Sequence, residues 1–159
     1  MNGDAEILAL LNEQLTSELT AINQYFLHSK LQSSWGYTEL AAKTRAESFE
    51  EMHHAEALTD RILLLDGLPN YQRLFSLSVG QTVREQFEAD LGIEREVVDR
   101  LRSGIKLCRD RGDSTSAVLL ETILADEEHH IDYLTTQLAL MEQLGEQLYL
   151  AQCLARPPA

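Results

Sequence analysis

The spacing of glycines sets the tightest limit on what this chain can fold into. They fall at positions 3, 36, 67, 80, 92, 104, 112 and 145. Five of them bracket residues 4–35, 37–66, 81–111 and 113–144, stretches of 32, 30, 31 and 32 residues. Only the third holds internal glycines, Gly92 and Gly104, each costing about 1 kcal/mol against alanine in a helix. Such stretches predict four helices, each about 45 Å long; an all-β chain would need many more turns. The joints at Trp35-Gly36-Tyr37 and Arg111-Gly112-Asp113 are short, so the flanking helices pair antiparallel. Asp113 or Ser114 is placed to cap the fourth. Residues 66–82 differ. Asp66, Gly67, Pro69, Asn70 and Gly80 interrupt them, and so long a connection crosses a fold from end to end. A short fifth helical segment, residues 146–155, precedes Arg156-Pro157-Pro158 and needs a docking surface to be stable. The expected fold is all-α: two hairpins in a four-helix bundle, a long crossover between helices two and three, and a short fifth helix.

Charge narrows the partners. The 159 residues are expected to form one domain, residues 1–159, with 44% hydrophobic content for its core. Thirteen Lys and Arg face 26 Asp and Glu, a net charge of −13. A chain this acidic is poorly suited to nucleic acid, and cations are its natural small partners. It has no run of about 18 apolar residues, so no membrane span is expected. Met1 to Leu15 mixes acidic and polar residues with apolar ones, unlike a secretory signal. Two cysteines, Cys108 and Cys153, make no disulfide framework and suit a reducing, cytoplasmic setting.

Each long stretch carries a heptad-like apolar stripe, and each stripe is broken once by a glutamate. The first reads Leu8, Leu11, Leu15, Glu18, Ile22, Tyr25. The second, read back from Leu65, Ile62 and Leu58, reaches Glu51. Glu94 stands between Phe87, Leu91 and Val98, Leu101, Ile105, Cys108 in the third, and Glu127 between Leu124 and Ile131 in the fourth. Two of the four open Glu-x-x-His: Glu51 to His54 and Glu127 to His130. Spacing i, i+3 puts both side chains on one helix face. Both motifs are doubled one residue earlier, as Glu50/His53 and Asp126/His129. That face is turned by about 100° and continues to Asp60 and Arg61, or to Asp132 and Thr136, which read as solvated. The inward set is therefore 51/54 and 127/130.

Four buried carboxylates in one core repel and resist ionisation unless a cation compensates them. No Lys or Arg lies on these seams at the same level. Two divalent ions supply +4 against four glutamates with neutral His54 and His130. One Glu from each of two helices plus Glu-x-x-His from each of the others is the ligand set of di-iron and di-manganese carboxylate bundles. Imidazole with carboxylate suits iron, with manganese or zinc as substitutes. A lone Glu-x-x-His is commonly a solvated pair. Here there are two, each 33 residues after a seam glutamate.

The chain resembles bacterioferritins over nearly its whole length. Asn23-Gln-Tyr-Phe-Leu-His28, Glu50-Glu-Met-His-His-Ala55, Arg61-Ile-Leu-Leu-Leu-Asp-Gly-Leu-Pro-Asn70 and Asp126-Glu-Glu-His-His-Ile-Asp132 carry the likeness. The resemblance implies a ferritin-like bundle in a hollow 24-subunit shell built of two-fold dimers. It implies iron storage and a ferroxidase that oxidises Fe(II) with O2 or H2O2. It makes Glu18, Glu51, His54, Glu94, Glu127 and His130 the ligands of two irons per chain, with Glu51 and Glu127 bridging. It gives Tyr25 a part in electron transfer during catalysis. It also makes Met52 the axial ligand of a haem b shared between two subunits, with a ferredoxin as electron donor for iron release. From the residues alone, Met52 reads first as an interface or gap-filling methionine. It shares an off-seam apolar flank with Phe49, Leu19 and Phe26, the pattern of a subunit interface. Arg45 lies near the expected haem edge.

There are departures. Many relatives have a histidine where this chain has Ala46, forming an extra inner-surface iron site with an acid at the position of Glu50. Leu58 and Tyr133 replace a tyrosine and a tryptophan common in relatives. His28, His53 and His129 read as surface or interface residues, with metal binding as the alternative. Cys108 reads as a buried core thiol and Cys153 as exposed on the fifth segment, which resembles the one lining the shell's four-fold axis. Rival readings are another di-iron or di-manganese oxidase on the same bundle, and a non-catalytic or haem-bearing subunit of a mixed shell. The complete ligand set disfavours the second.

Overall fold

The structure, a computed structural model, describes residues 1–155. Its helices are α1 (Ala5–Ser34), α2 (Thr38–Leu64), α3 (Val83–Asp110), α4 (Ser114–Leu144) and α5 (Glu146–Ala151). No strand occurs among the described residues. The four long helices match the glycine-bracketed stretches to within two residues at each end. Local signals set these ends. Asp4 caps α1 through the Glu6 and Ile7 amides, Thr82 caps α3 through that of Glu85, and Asp113 caps α4 through that of Ser116. Gly36 and Gly112 turn the two hairpins with φ of 92° and 77°, a region that strains residues bearing a Cβ.

α1 packs on α2 and α3 on α4, as the short joints require, and α1 also lies against α3. The crossover runs along α1. Asn12 donates to the Leu68 carbonyl and accepts from the Asn70 amide. Further along, the Phe75 amide donates to Thr20, that of Ser78 to Gln24 and that of Gly80 to His28. From Asn12 to His28 is about 24 Å of helix at 1.5 Å per residue, so the segment does travel along the bundle. Side chains of α1 thus satisfy backbone amides that no helix would pair.

Two apolar clusters lie toward opposite ends of the bundle. One gathers Ile7, Leu11, Leu15, Leu58, Leu101 and Leu120. The other gathers Leu40, Phe87, Leu91, Leu134, Met141 and Tyr149. Along α2, α3 and α4 the seam glutamates fall between the residues of the two.

Several expectations change. The fifth helix ends at Ala151, and the Arg156-Pro157-Pro158 terminus lies outside the described residues. Cys153 is buried rather than exposed, because the chain after α5 folds back onto α2. Its carbonyl accepts the Glu39 and Leu40 amides at the start of α2, where Tyr37 offers no side-chain cap. Arg61, expected on a solvated face, is buried because two α4-side groups reach it. Its Nε donates to Ser116 Oγ and its Nη2 to Asp113 Oδ1, both at 2.8 Å. His28, expected at the surface, is fully buried between α3 and the crossover. Leu19 belongs to the first apolar cluster rather than to an exposed flank. Cys108 is buried as expected, and burial pushes its thiol up to about 11.

Candidate metal centre

The heptad seam brings Glu18, Glu51, Glu94 and Glu127 to one level, each with no exposed surface. His54 and His130 join them, 7% and 5% exposed. Two four-residue groups result: Glu18, Glu51, His54 and Glu127, then Glu51, Glu94, Glu127 and His130. Within each group one ligand atom per residue lies within 4.8 Å of the others. Glu51 and Glu127 belong to both, so the two groups share a pair of carboxylates.

Both imidazoles point Nδ1 inward. His54 Nδ1 is 3.0 Å from Glu127 Oε1, 3.3 Å from Glu51 Oε2 and 3.6 Å from Glu18 Oε2. His130 Nδ1 is 3.0 Å from Glu51 Oε1, 3.4 Å from Glu127 Oε2 and 3.5 Å from Glu94 Oε1. The outward nitrogens are held by the doubled motifs, each reaching across to the other helix. His54 Nε2 donates to Asp126 Oδ2 at 2.8 Å, and His130 Nε2 to Glu50 Oε2 at 2.7 Å. A ring whose Nε2–H is committed to a carboxylate offers its Nδ1 lone pair to a metal. Sequence reasoning set Glu50 and Asp126 aside as solvated. Both are exposed, yet they orient the inner histidines. The doubling of both motifs was the available signal.

Other side chains fix the glutamates. Gln14 Nε2 donates to Glu18 Oε1 at 2.9 Å. The phenol of fully buried Tyr25 donates to Glu94 Oε1, and its ring meets that of His130 edge-on at 6.5 Å. Gln14 was invisible to the seam argument because it lies one residue off the stripe.

The electrostatics are those of a cation site. Burial, then the neighbouring carboxylates, holds Glu51 and Glu94 well above the ordinary carboxylate range. Burial pushes Glu127 the same way, but the Glu94, His130 and His54 side chains close around it outweigh that and hold it low. Burial pulls His54 and His130 down, but the glutamates crowded around them win and raise both. Burial, then the Glu94 charge, pushes the Tyr25 phenol well up. Glu18 Oε2, Glu51 Oε1, Glu94 Oε2 and both oxygens of Glu127 are buried without a hydrogen bond. Buried oxygens left bare cost free energy that metal coordination recovers. Hard oxygen donors with two imidazoles fit first-row divalent ions such as Fe(II). Among the described residues no Lys or Arg forms an ion pair with these four glutamates.

Met52 lies one residue beyond Glu51 and points away from the centre, 47% exposed. Phe26 and Phe49 are exposed too, and Arg45 stands over both rings at 5.9 and 5.2 Å. An accessible thioether, two exposed phenyl rings and the guanidinium over them offer the chemistry that a flat apolar ligand with an anionic edge needs.

Known proteins resemble this chain over its length. The ferritin-like domain family matches residues 8–144. A bacterioferritin of Mycobacterium leprae is 75% identical over all 159 residues of both chains. The structure of Mycobacterium tuberculosis bacterioferritin BfrA superposes with a TM-score of 0.97 at 72% identity, covering 100% of each chain. A Rhodobacter capsulatus bacterioferritin was solved with a metal-free dinuclear site and haem iron in a crystallographic special position. It matches with a TM-score of 0.97 at 42% identity, over 100% of this chain and 99% of that one. The chain belongs to the bacterioferritin family of ferritin-like proteins.

Proposed function

We propose that this protein stores iron by binding two Fe(II) per chain in the buried cluster, oxidising them and holding the ferric product inside a shell. One observation carries the reading: two ligand groups that share Glu51 and Glu127, with buried carboxylate oxygens that make no hydrogen bond. Glu18 and His54 complete one position, Glu94 and His130 the other. The shared carboxylates keep the two ions close, so two one-electron donors face one oxidant. Two Fe(II) give up two electrons. O2 takes them with two protons to become H2O2, or H2O2 takes them with two protons to become two waters. Asp126 and Glu50 hold the histidine rings in the ligating orientation. Tyr25, bonded to Glu94, is placed to pass an electron or hold a proton at its phenol oxygen. The shell is a 24-mer of two-fold dimers, homomeric or mixed with a related subunit.

With the exposed Phe26, Phe49 and Arg45 as further residues to receive it, Met52 would hold a haem b at a dimer interface. That group supplies a one-electron path for reducing stored ferric iron, with a ferredoxin as donor. Glu94→Ala removes one position only. Anaerobic Fe(II) titration should fall from two per chain to one, and the oxidation rate by at least about tenfold, the loss of about 1.4 kcal/mol of barrier lowering. An unchanged rate rejects the ferroxidase assignment. Met52→Leu should abolish the haem Soret band and leave Fe(II) oxidation intact.

A further inference from the structure

Gln14 stands one helical turn before Glu18 on α1, and i, i+4 spacing brings the two side chains together. It is 2% exposed, and its Nε2 donates to Glu18 Oε1 at 2.9 Å. The amide cannot be turned round, because its oxygen would then face the carboxylate. In this orientation Gln14 Oε1 is buried and makes no hydrogen bond. Leu11 and Leu15, close by in sequence, belong to the first apolar cluster, and Leu10 packs against that cluster. A leucine or methionine at position 14 would suit such surroundings without leaving a buried oxygen bare. Stability therefore does not explain the amide. Its bond to Glu18 does.

That bond divides the two oxygens of Glu18. Oε1 is taken by Gln14. Oε2 makes no hydrogen bond and lies 3.6 Å from His54 Nδ1. Glu94, the corresponding ligand on α3, is divided in the same way. The Tyr25 phenol donates to its Oε1, and its Oε2 makes no hydrogen bond. A carboxylate that offers a cation one oxygen fills one coordination position, and one that offers both fills two. A donor fixed on one oxygen competes with the cation for it, and so selects the first arrangement. Tyr25 was expected from the sequence to have a part in the chemistry. Gln14 holds the matching place on the other half of the centre.

We infer that Gln14 is a positioning residue that makes Glu18 a one-oxygen ligand. It thereby keeps a coordination position free on the Glu18–His54 half of the centre, where water or an oxidant can reach the ion. The role rests on the dinuclear reading. Without the amide, Glu18 Oε1 loses its donor, and both oxygens are free to close on one cation. A residue that only filled space at position 14 would leave the coordination of that cation unchanged.

Anaerobic Co(II) titration of the metal-free assembled protein tests this, with Gln14→Leu and Gln14→Met as variants. Both replacements form helix about as readily as glutamine and neither donates, so agreement between them separates the lost donor from a change of shape. The visible absorption of Co(II) weakens as its coordination rises from tetrahedral to octahedral. Wild type and both variants should bind two Co(II) per chain. One of the two ions gains a donor in the variants, so their absorption per chain should fall by about a quarter to a half. Fewer than two Co(II) in wild type overturns the dinuclear reading, and the role of Gln14 with it. Two Co(II) with the wild-type spectrum in either variant overturns the role of Gln14 alone. Loss of an ion from either variant also overturns it, since Gln14 would then be needed for binding rather than for setting the coordination.

Discussion

Two buried polar regions sit about one helical turn apart and behave in opposite ways. In the first, four glutamates and two histidines leave five carboxylate oxygens and His130 Nδ1 without hydrogen bonds. In the second, Asp90 is nearly as deep, but its Oδ1 is met by two side chains. Gln24 Nε2 donates to Asp90 Oδ1 at 2.8 Å, and His28 Nδ1 lies 3.0 Å from the same oxygen. The Gly80 amide donates to His28 Nε2 at 3.0 Å, so the ring's proton sits on Nδ1, facing Asp90. The Ser78 amide donates to Gln24, and Gln32 donates to Gln86, which in turn donates to the Gly80 carbonyl. Burial pushes the Asp90 carboxyl up, and its His28 and Gln24 partners pull against that shift. One region is largely completed by its own side chains: His28 Nδ1 and Gln32 Oε1 make no hydrogen bond, but no carboxylate oxygen is left bare, and it fastens the crossover to α1 and α3. The other is complete only with cations.

The difference predicts opposite responses to losing a carboxylate. Asp90→Ala strands the Gln24 amide and the His28 Nδ1–H in the interior. Each buried orphan costs about 1–3 kcal/mol, so the metal-free protein should lose about 3 kcal/mol. The denaturant midpoint of the metal-free assembly reads this directly. A loss below about 1 kcal/mol would mean the network contributes little to stability. Asp90→Asn, which keeps an acceptor, should recover most of it.

Glu94→Ala should act the other way. Removing one of four crowded carboxylates relieves repulsion and offsets the cavity and the stranded Tyr25 hydroxyl. Metal-free stability should change by no more than about 1 kcal/mol. The contrast appears with metal. A ligand at 100 times its dissociation constant stabilises the native state by about 2.7 kcal/mol. Co(II) should deliver that increment to Asp90→Ala as fully as to wild type, and much less to Glu94→Ala. Equal increments in both variants would dissolve the distinction between the regions.

How much of this was legible depends on which element supplies the partner. Glu18, Glu51, Glu94 and Glu127 were readable because a heptad seam fixes which residues point inward, and an acid in a leucine stripe has one chemical remedy. The four helices were readable because glycine punctuates them. His28, Arg61 and Cys153 were misplaced for a common reason. Each is buried by a segment distant in sequence: the crossover and α3 for His28, the start of α4 for Arg61, the fold-back onto α2 for Cys153. Periodicity within one helix cannot report such partners. A weak signal for His28 was present, since Gln24, His28 and Gln32 repeat at four residues. A polar row on a helix with no charge reads as a partner surface, and here the partners are Asp90, Gln86 and the crossover backbone.

A third polar island stands between these extremes and gives the smallest effect. Arg61 is buried, but Asp113 keeps partial access to solvent. Burial pulls the Asp113 carboxyl up. The Ser116 hydroxyl and amide, with the Arg61 guanidinium, outweigh that and hold it below its ordinary value. A carboxyl depressed in the folded state contributes stability above its unfolded pKa of about 3.9, and that contribution fades as pH falls through the folded value. Solvent access limits it to about 1 kcal/mol. Asp113→Asn keeps a cap acceptor for Ser116 and removes only the charge. Wild type should therefore exceed Asp113→Asn in denaturant midpoint at pH 7, and the two should converge as pH falls below about 4. Curves that stay parallel to the acid limit would assign the effect to the cap alone. The Asp113 island would then belong with Asp90, as a self-completed hydrogen-bond network in which charge contributes little.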